Sequence, residues 1–83
     1  MDAQELLVAE AAVNASRHKT FDELEVFISE TTGFSKHDVA AIVKRLVAEG
    51  YLHILSGPVA NLAAGELPAP PVNGWYEKGS MWK

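Results

Sequence analysis

Ser35-Lys36-His37-Asp38-Val39-Ala40-Ala41-Ile42-Val43-Lys44-Arg45-Leu46-Val47-Ala48-Glu49-Gly50-Tyr51-Leu52 is the stretch on which the fold turns. Val39, Ile42, Val43, Leu46 and Val47 recur at i, i+3, i+4, i+7 and i+8, the spacing of a helix with one apolar face. Ser35 precedes the run as an N-cap, with Asp38 in the position usually held by Glu. Gly50 ends the helix. Tyr51-Leu52-His53-Ile54-Leu55 then alternates as a strand, with Leu52 and Ile54 on one side and Tyr51, His53 and Leu55 on the other.

Working upstream, Thr20-Phe21-Asp22-Glu23 is a second helix start, with Thr20 as N-cap and Glu23 three residues on. Phe21, Leu24, Phe27 and Ile28 give this helix its apolar face. It stops at Thr31 or Thr32, because Gly33 suits the left-handed position that follows a helix. Small Ser29 falls where two helices approach closely, and Phe34 follows the turn as a buried anchor. An earlier helix is expected from about Ala3 to Arg17. Asp2 and Glu5 form its capping pattern, Leu6, Ala9, Ala12 and Val13 form one stripe, and Arg17, His18 and Lys19 suit its negative end. Its alanine-rich run allows another helix to come close, in the core or across a dimer.

Downstream, Ser56-Gly57-Pro58 breaks the strand, and Pro68, Pro70 and Pro71 sit close together in a loop reaching Gly74. A short pairing segment is expected around Val59 to Leu62. Trp75-Tyr76-Glu77 reads as a returning strand, and Lys78 to Lys83 as an aromatic tail. The chain is therefore expected to be a single domain. Residues 1–55 form a helix-turn-helix core with its first strand, and residues 56–83 the Pro/Gly/Ala-rich loop, the returning strand and the tail.

The 83 residues are 48% hydrophobic, enough for one compact core. A chain this short buries only roughly 60–65% of the surface it exposes when unfolded. No cysteine occurs, which excludes disulfides and thiolate metal sites. His18, His37 and His53 share no metal-ligand spacing, so they read as surface or half-buried side chains, and no cofactor is expected. Met1-Asp2-Ala3-Gln4-Glu5 is acidic where a secretory signal is basic, and no apolar run approaches a membrane span. A cytoplasmic protein without membrane attachment is expected. No Ser-His-Asp arrangement or phosphate loop is present, so no enzyme is expected.

The order helix, helix, turn, helix, strand, irregular hairpin, strand, together with Gly33, Ser29, Phe34, Val39 and Ile42, resembles the helix-turn-helix of bacterial and archaeal DNA-binding regulators. Leu46-Val47-Ala48-Glu49-Gly50-Tyr51-Leu52 looks like the end of the recognition helix running into the first strand of a wing in the winged helix-turn-helix superfamily. The resemblance covers Phe21 to Leu55. It implies a mainly α fold with a small β-hairpin, a three-helix winged helix-turn-helix of the α+β class.

The resemblance also implies a small transcriptional regulator that binds double-stranded DNA, as a homodimer through the first helix or the tail. The residues facing the major groove would be Ser35, Lys36, His37, Ala40, Ala41 and Lys44, with Arg45 nearer the flank. Lys36, Lys44 and Arg45 are three of the seven lysines and arginines, so a chain of net charge -4 is able to present one basic face. The same residues also read as the solvated side of an amphipathic helix. The net acidity and Trp75, Tyr76 and Trp82 favour a different use of the scaffold. In that use it is a protein-interaction module, including a small phage- or plasmid-type modulator of a host protein. The three aromatic side chains cap the core in one reading and form an exposed patch in the other.

Overall fold

The computed structural model describes residues 1–15, 19–56, 60–62 and 73–82. Helix α1 is Ala3–Asn14, α2 is Phe21–Thr32 and α3 is Lys36–Ala48. Strand β1 is Lys19–Thr20, β2 is Leu52–Ser56, β3 is Ala60–Asn61 and β4 is Asn73–Lys78.

Each helix starts where its capping residues dictate. Asp2 accepts from the Glu5 amide at 2.8 Å, and the Glu5 carboxylate accepts from the Asp2 amide at 3.0 Å. Thr20 and Glu23 repeat this reciprocal pair, each bond 3.1 Å long. Ser35 accepts from the Asp38 amide at 3.1 Å. These bonds satisfy amides that have no partner within the helix.

Sequence and structure part company over α1. The helix ends at Asn14, and Ala15 is extended, with φ -66° and ψ 149°. Arg17 and His18 lie outside the described residues. The buried stripe is Val8, Ala9, Ala11 and Ala12, whereas Leu6 is exposed. Small alanines on the inner side let α1 sit close to α2, α3 and β4, and this rotation turns Leu6 outward. Phe27 is a second correction. Phe21, Leu24 and Ile28 fill the inner face of α2, and Phe27, about 100° around the helix from Ile28, is left exposed.

The strands form one antiparallel sheet in the order β1-β4-β2-β3. Strand β4 pairs with β2 from Leu52↔Lys78 to Ser56↔Gly74, and β1 closes the other side through Lys19↔Gly74 and Thr20↔Asn73. The returning strand is longer than Trp75–Glu77, and β1 was not expected. The pairing segment after the break is Ala60–Asn61. The proline cluster lies outside the described residues.

Leu52, Ile54 and Tyr76 turn one face of the sheet onto the helices. There they meet Val8, Leu24, Ile28, Val39, Val43 and Leu46, all fully buried. Burying each such aliphatic side chain is worth roughly 1.5–3 kcal/mol. The succession α1-β1-α2-α3-β2-β3-β4, with β1 zipped onto β4, is a mainly helical α+β fold with a small sheet, compatible with a three-helix winged helix-turn-helix layout. Among the described residues, no helix is long and apolar enough to cross a membrane.

Candidate nucleic-acid interface

The turn between α2 and α3 decides what α3 shows to the outside. Gly33 adopts φ 83° and its amide donates to the Ser29 carbonyl at 2.8 Å. That left-handed conformation strains any residue with a Cβ. Ser29 Oγ donates to the Phe34 carbonyl at 2.6 Å, and Thr32 Oγ1 donates to the Ile28 carbonyl at 2.7 Å. The small serine thus pins the turn to the helix before it. Phe34 packs against the core but is half-buried, where a buried anchor was expected.

From this turn α3 runs with Val39, Val43, Leu46 and Val47 inward and Ile42 half-buried. Ser35, Lys36, His37, Ala41, Lys44 and Arg45 are all exposed, and Ala40 is half-buried. The structure therefore brings the residues expected on the outward side to the surface of one helix. It also supplies what sequence spacing did not show, the acids of other helices that reach them.

Lys36 Nζ makes an ion pair with Asp22 of α2. The bond to the Asp22 carboxylate raises the Lys36 pKa and so favours its charged form. Arg45 Nε donates to Glu5 Oε2 of α1 at 2.9 Å. Glu5 uses its other oxygen to cap α1, so one carboxylate serves both the helix start and the outer face of α3. Glu25, half-buried on α2, has its pKa raised by burial, against the opposing pull of Lys36. Among the described residues, no carboxylate lies within ion-pair distance of Lys44. Glu5 and Asp22 were legible as helix-start acids, but nothing in their spacing to residues 40 and 14 positions away pointed to α3.

The aromatic residues divide. Tyr76 is a core residue at 3% exposure, meeting Phe21 edge to face, so of the two readings it takes the core one and leaves the exposed patch. Trp75 is half-buried, with its indole N–H donating to Glu77 Oε2 at 2.8 Å. Trp82 is half-buried against the core, and Lys78 Nζ stands 5.1 Å from its ring centroid. On the face of the sheet away from the helices, His53 pairs across from Glu77 and Leu55 from Trp75. Residues 57–59 and 63–72 lie outside the described residues. Among the described residues, no three of His, Cys, Asp and Glu gather as a metal-holding group.

Comparison with protein-family models, with curated proteins and with solved structures gave no match.

Proposed function

We propose that this chain is a small DNA-binding regulator that presents α3 to the major groove of double-stranded DNA. The supporting observation is the outward side of α3. His37, Ala41 and Lys44 stand exposed one turn apart, on a helix whose opposite side is held by Val39, Val43 and Leu46. Ala41 in the middle of that stripe leaves room for base edges to come close. Lys44 supplies a cation for a phosphate or a guanine edge. Lys36 and Arg45 flank it in ion pairs worth only about 0–1 kcal/mol each, a cost that the contacts of a backbone lying in register offset.

The experiment is fluorescence anisotropy of labelled genomic duplexes over a salt series. Expected is binding that weakens as salt rises, with Lys44→Ala reducing the salt slope by about one. Absence of salt-dependent binding, or a Lys44→Ala variant that binds like the parent, rejects the reading.

A second reading, a protein-interaction module, is favoured by the exposed Leu7, Val26 and Phe27 together with the two neutralised cations of α3. Recovery of one stoichiometric protein partner, with DNA binding absent, decides for it.

A further inference from the structure

Two of the three cations on α3 already hold a carboxylate, and each carboxylate comes from a different helix. Arg45 is met by Glu5 from α1 and Lys36 by Asp22 from α2, so acids reach the helix from both neighbouring elements. Neither is a local pair of adjacent helical turns, the arrangement that ordinarily decorates a solvated helix.

The two acids are held differently. Glu5 is locked by the reciprocal cap with Asp2, and its side chain is only 12% exposed. Asp22 sits in the first turn of α2, where the helix dipole favours a negative charge. Arg45 is the movable member of its pair, with its side chain 54% exposed, whereas Lys36 and Asp22 are both about half exposed, at 46% and 51%. A phosphate that takes either cation must first displace a carboxylate, then remain close to it.

We infer that Glu5 and Asp22 are specificity-determining residues, standing in for phosphate on Arg45 and Lys36 and so suppressing attachment to DNA of arbitrary sequence. This rests on the DNA-binding reading above. A backbone lying in register, with α3 seated on its matching bases, gains enough other contacts to displace both acids. A randomly placed backbone does not, and the only cation it meets unopposed among the described residues of α3 is Lys44. Because sequence-independent affinity is almost wholly electrostatic, removing two of three available cations lowers it while leaving base contacts untouched.

The test compares the parent with Glu5→Gln/Asp22→Asn, using a labelled duplex of arbitrary sequence over a potassium chloride series. Glutamine at position 5 keeps the acceptor needed by the α1 cap. Asp22→Asn alone, remote from that cap, serves if the double variant unfolds. Expected is tighter binding by about three- to five-fold per acid removed, with the salt slope steeper by about one for each freed cation. Glu10→Gln/Glu30→Gln, which changes net charge equally at exposed acids, should leave both quantities near the parent values.

Parent binding that responds to Lys44→Ala but not to Glu5→Gln/Asp22→Asn overturns this inference alone. Equal tightening by the Glu10/Glu30 control also overturns it, because net charge then suffices. Failure of parent and variants alike to bind at low salt removes the DNA reading and this inference with it. A merely structural role for the two pairs lowers stability without any gain in affinity.

Discussion

The Phe21 ring meets the Tyr76 ring edge-on, with centroids 5.5 Å apart and planes inclined at 69°. Through this contact the first residue of α2 is fastened to β4, a central strand of the sheet. Tyr76 also contributes one of the largest side chains of the core. Tyr76→Ala should therefore lower stability by on the order of 3 kcal/mol through the cavity and the lost edge contact. Urea unfolding followed by circular dichroism reads this loss, and Tyr76→Phe should recover most of it.

Tyr76 also makes stability fall at alkaline pH. Burial, with a further contribution from the Glu25 charge, raises the pKa of its hydroxyl far above the ordinary tyrosine value. Above pH of about 10 the unfolded chain loses this proton while the native chain keeps it. Each further rise in pH then favours unfolding, by up to about 1.4 kcal/mol per unit. The contribution is fully present below the unfolded value and disappears as pH climbs through the folded one. Urea midpoints taken across this range should decline in the parent and decline less in Tyr76→Phe.

Two glycines should respond to alanine for different reasons. A Cβ at Gly74 would run into the Phe21 ring and the Leu55 carbonyl, so Gly74→Ala forces strand β4 and α2 apart. A loss of about 1–3 kcal/mol is expected from such overpacking. At Gly33 a Cβ would meet nothing within 4 Å, and the cost is confined to the left-handed backbone at φ 83°. Gly33→Ala should lose about 1 kcal/mol, and Gly33→Asn less, because asparagine tolerates that conformation. Thermal unfolding of the three variants separates clash from backbone strain.

The helix starts and the turn were legible in the sequence because capping is local chemistry. Thr20 with Glu23, Asp2 with Glu5, Ser35, and Gly33 each act within a few residues of themselves. The inner sides of α3 and β2 were legible for a related reason: Val39, Val43 and Leu46, and Leu52 and Ile54, repeat at the period of their element. Strand β1 was hidden because two residues carry no alternation, and Thr20 was already explained as a cap. Leu6 and Phe27 misled because periodicity shows that a helix has an apolar side, not which edge its neighbours cover. The outward residues of α3 followed from the inward ones. The pairs with Glu5 and Asp22 did not, since ion pairs between helices depend on tertiary approach, which no spacing encodes.

Ala41 offers the sharpest test of the proposed DNA face. It is exposed midway along α3, between His37 and Lys44, and it also borders a notch formed with Gln4, Phe34, Asp38, Ile42 and Arg45. A glutamate there would point a charge at the phosphates and fill space that base edges need. Because the site is open, Ala41→Glu should shift stability by no more than about 0.5 kcal/mol. DNA affinity should fall by at least about ten-fold, the cost of one unfavourable contact of roughly 1.4 kcal/mol. The two effects are separable by measuring the melting temperature and the anisotropy titration on the same sample. An Ala41→Glu protein that keeps its fold and its affinity would place the DNA contact elsewhere on the molecule. Loss of both together would mean that the helix itself had been disturbed. Only loss of binding with the fold retained fits a helix whose outward side meets the groove at Ala41.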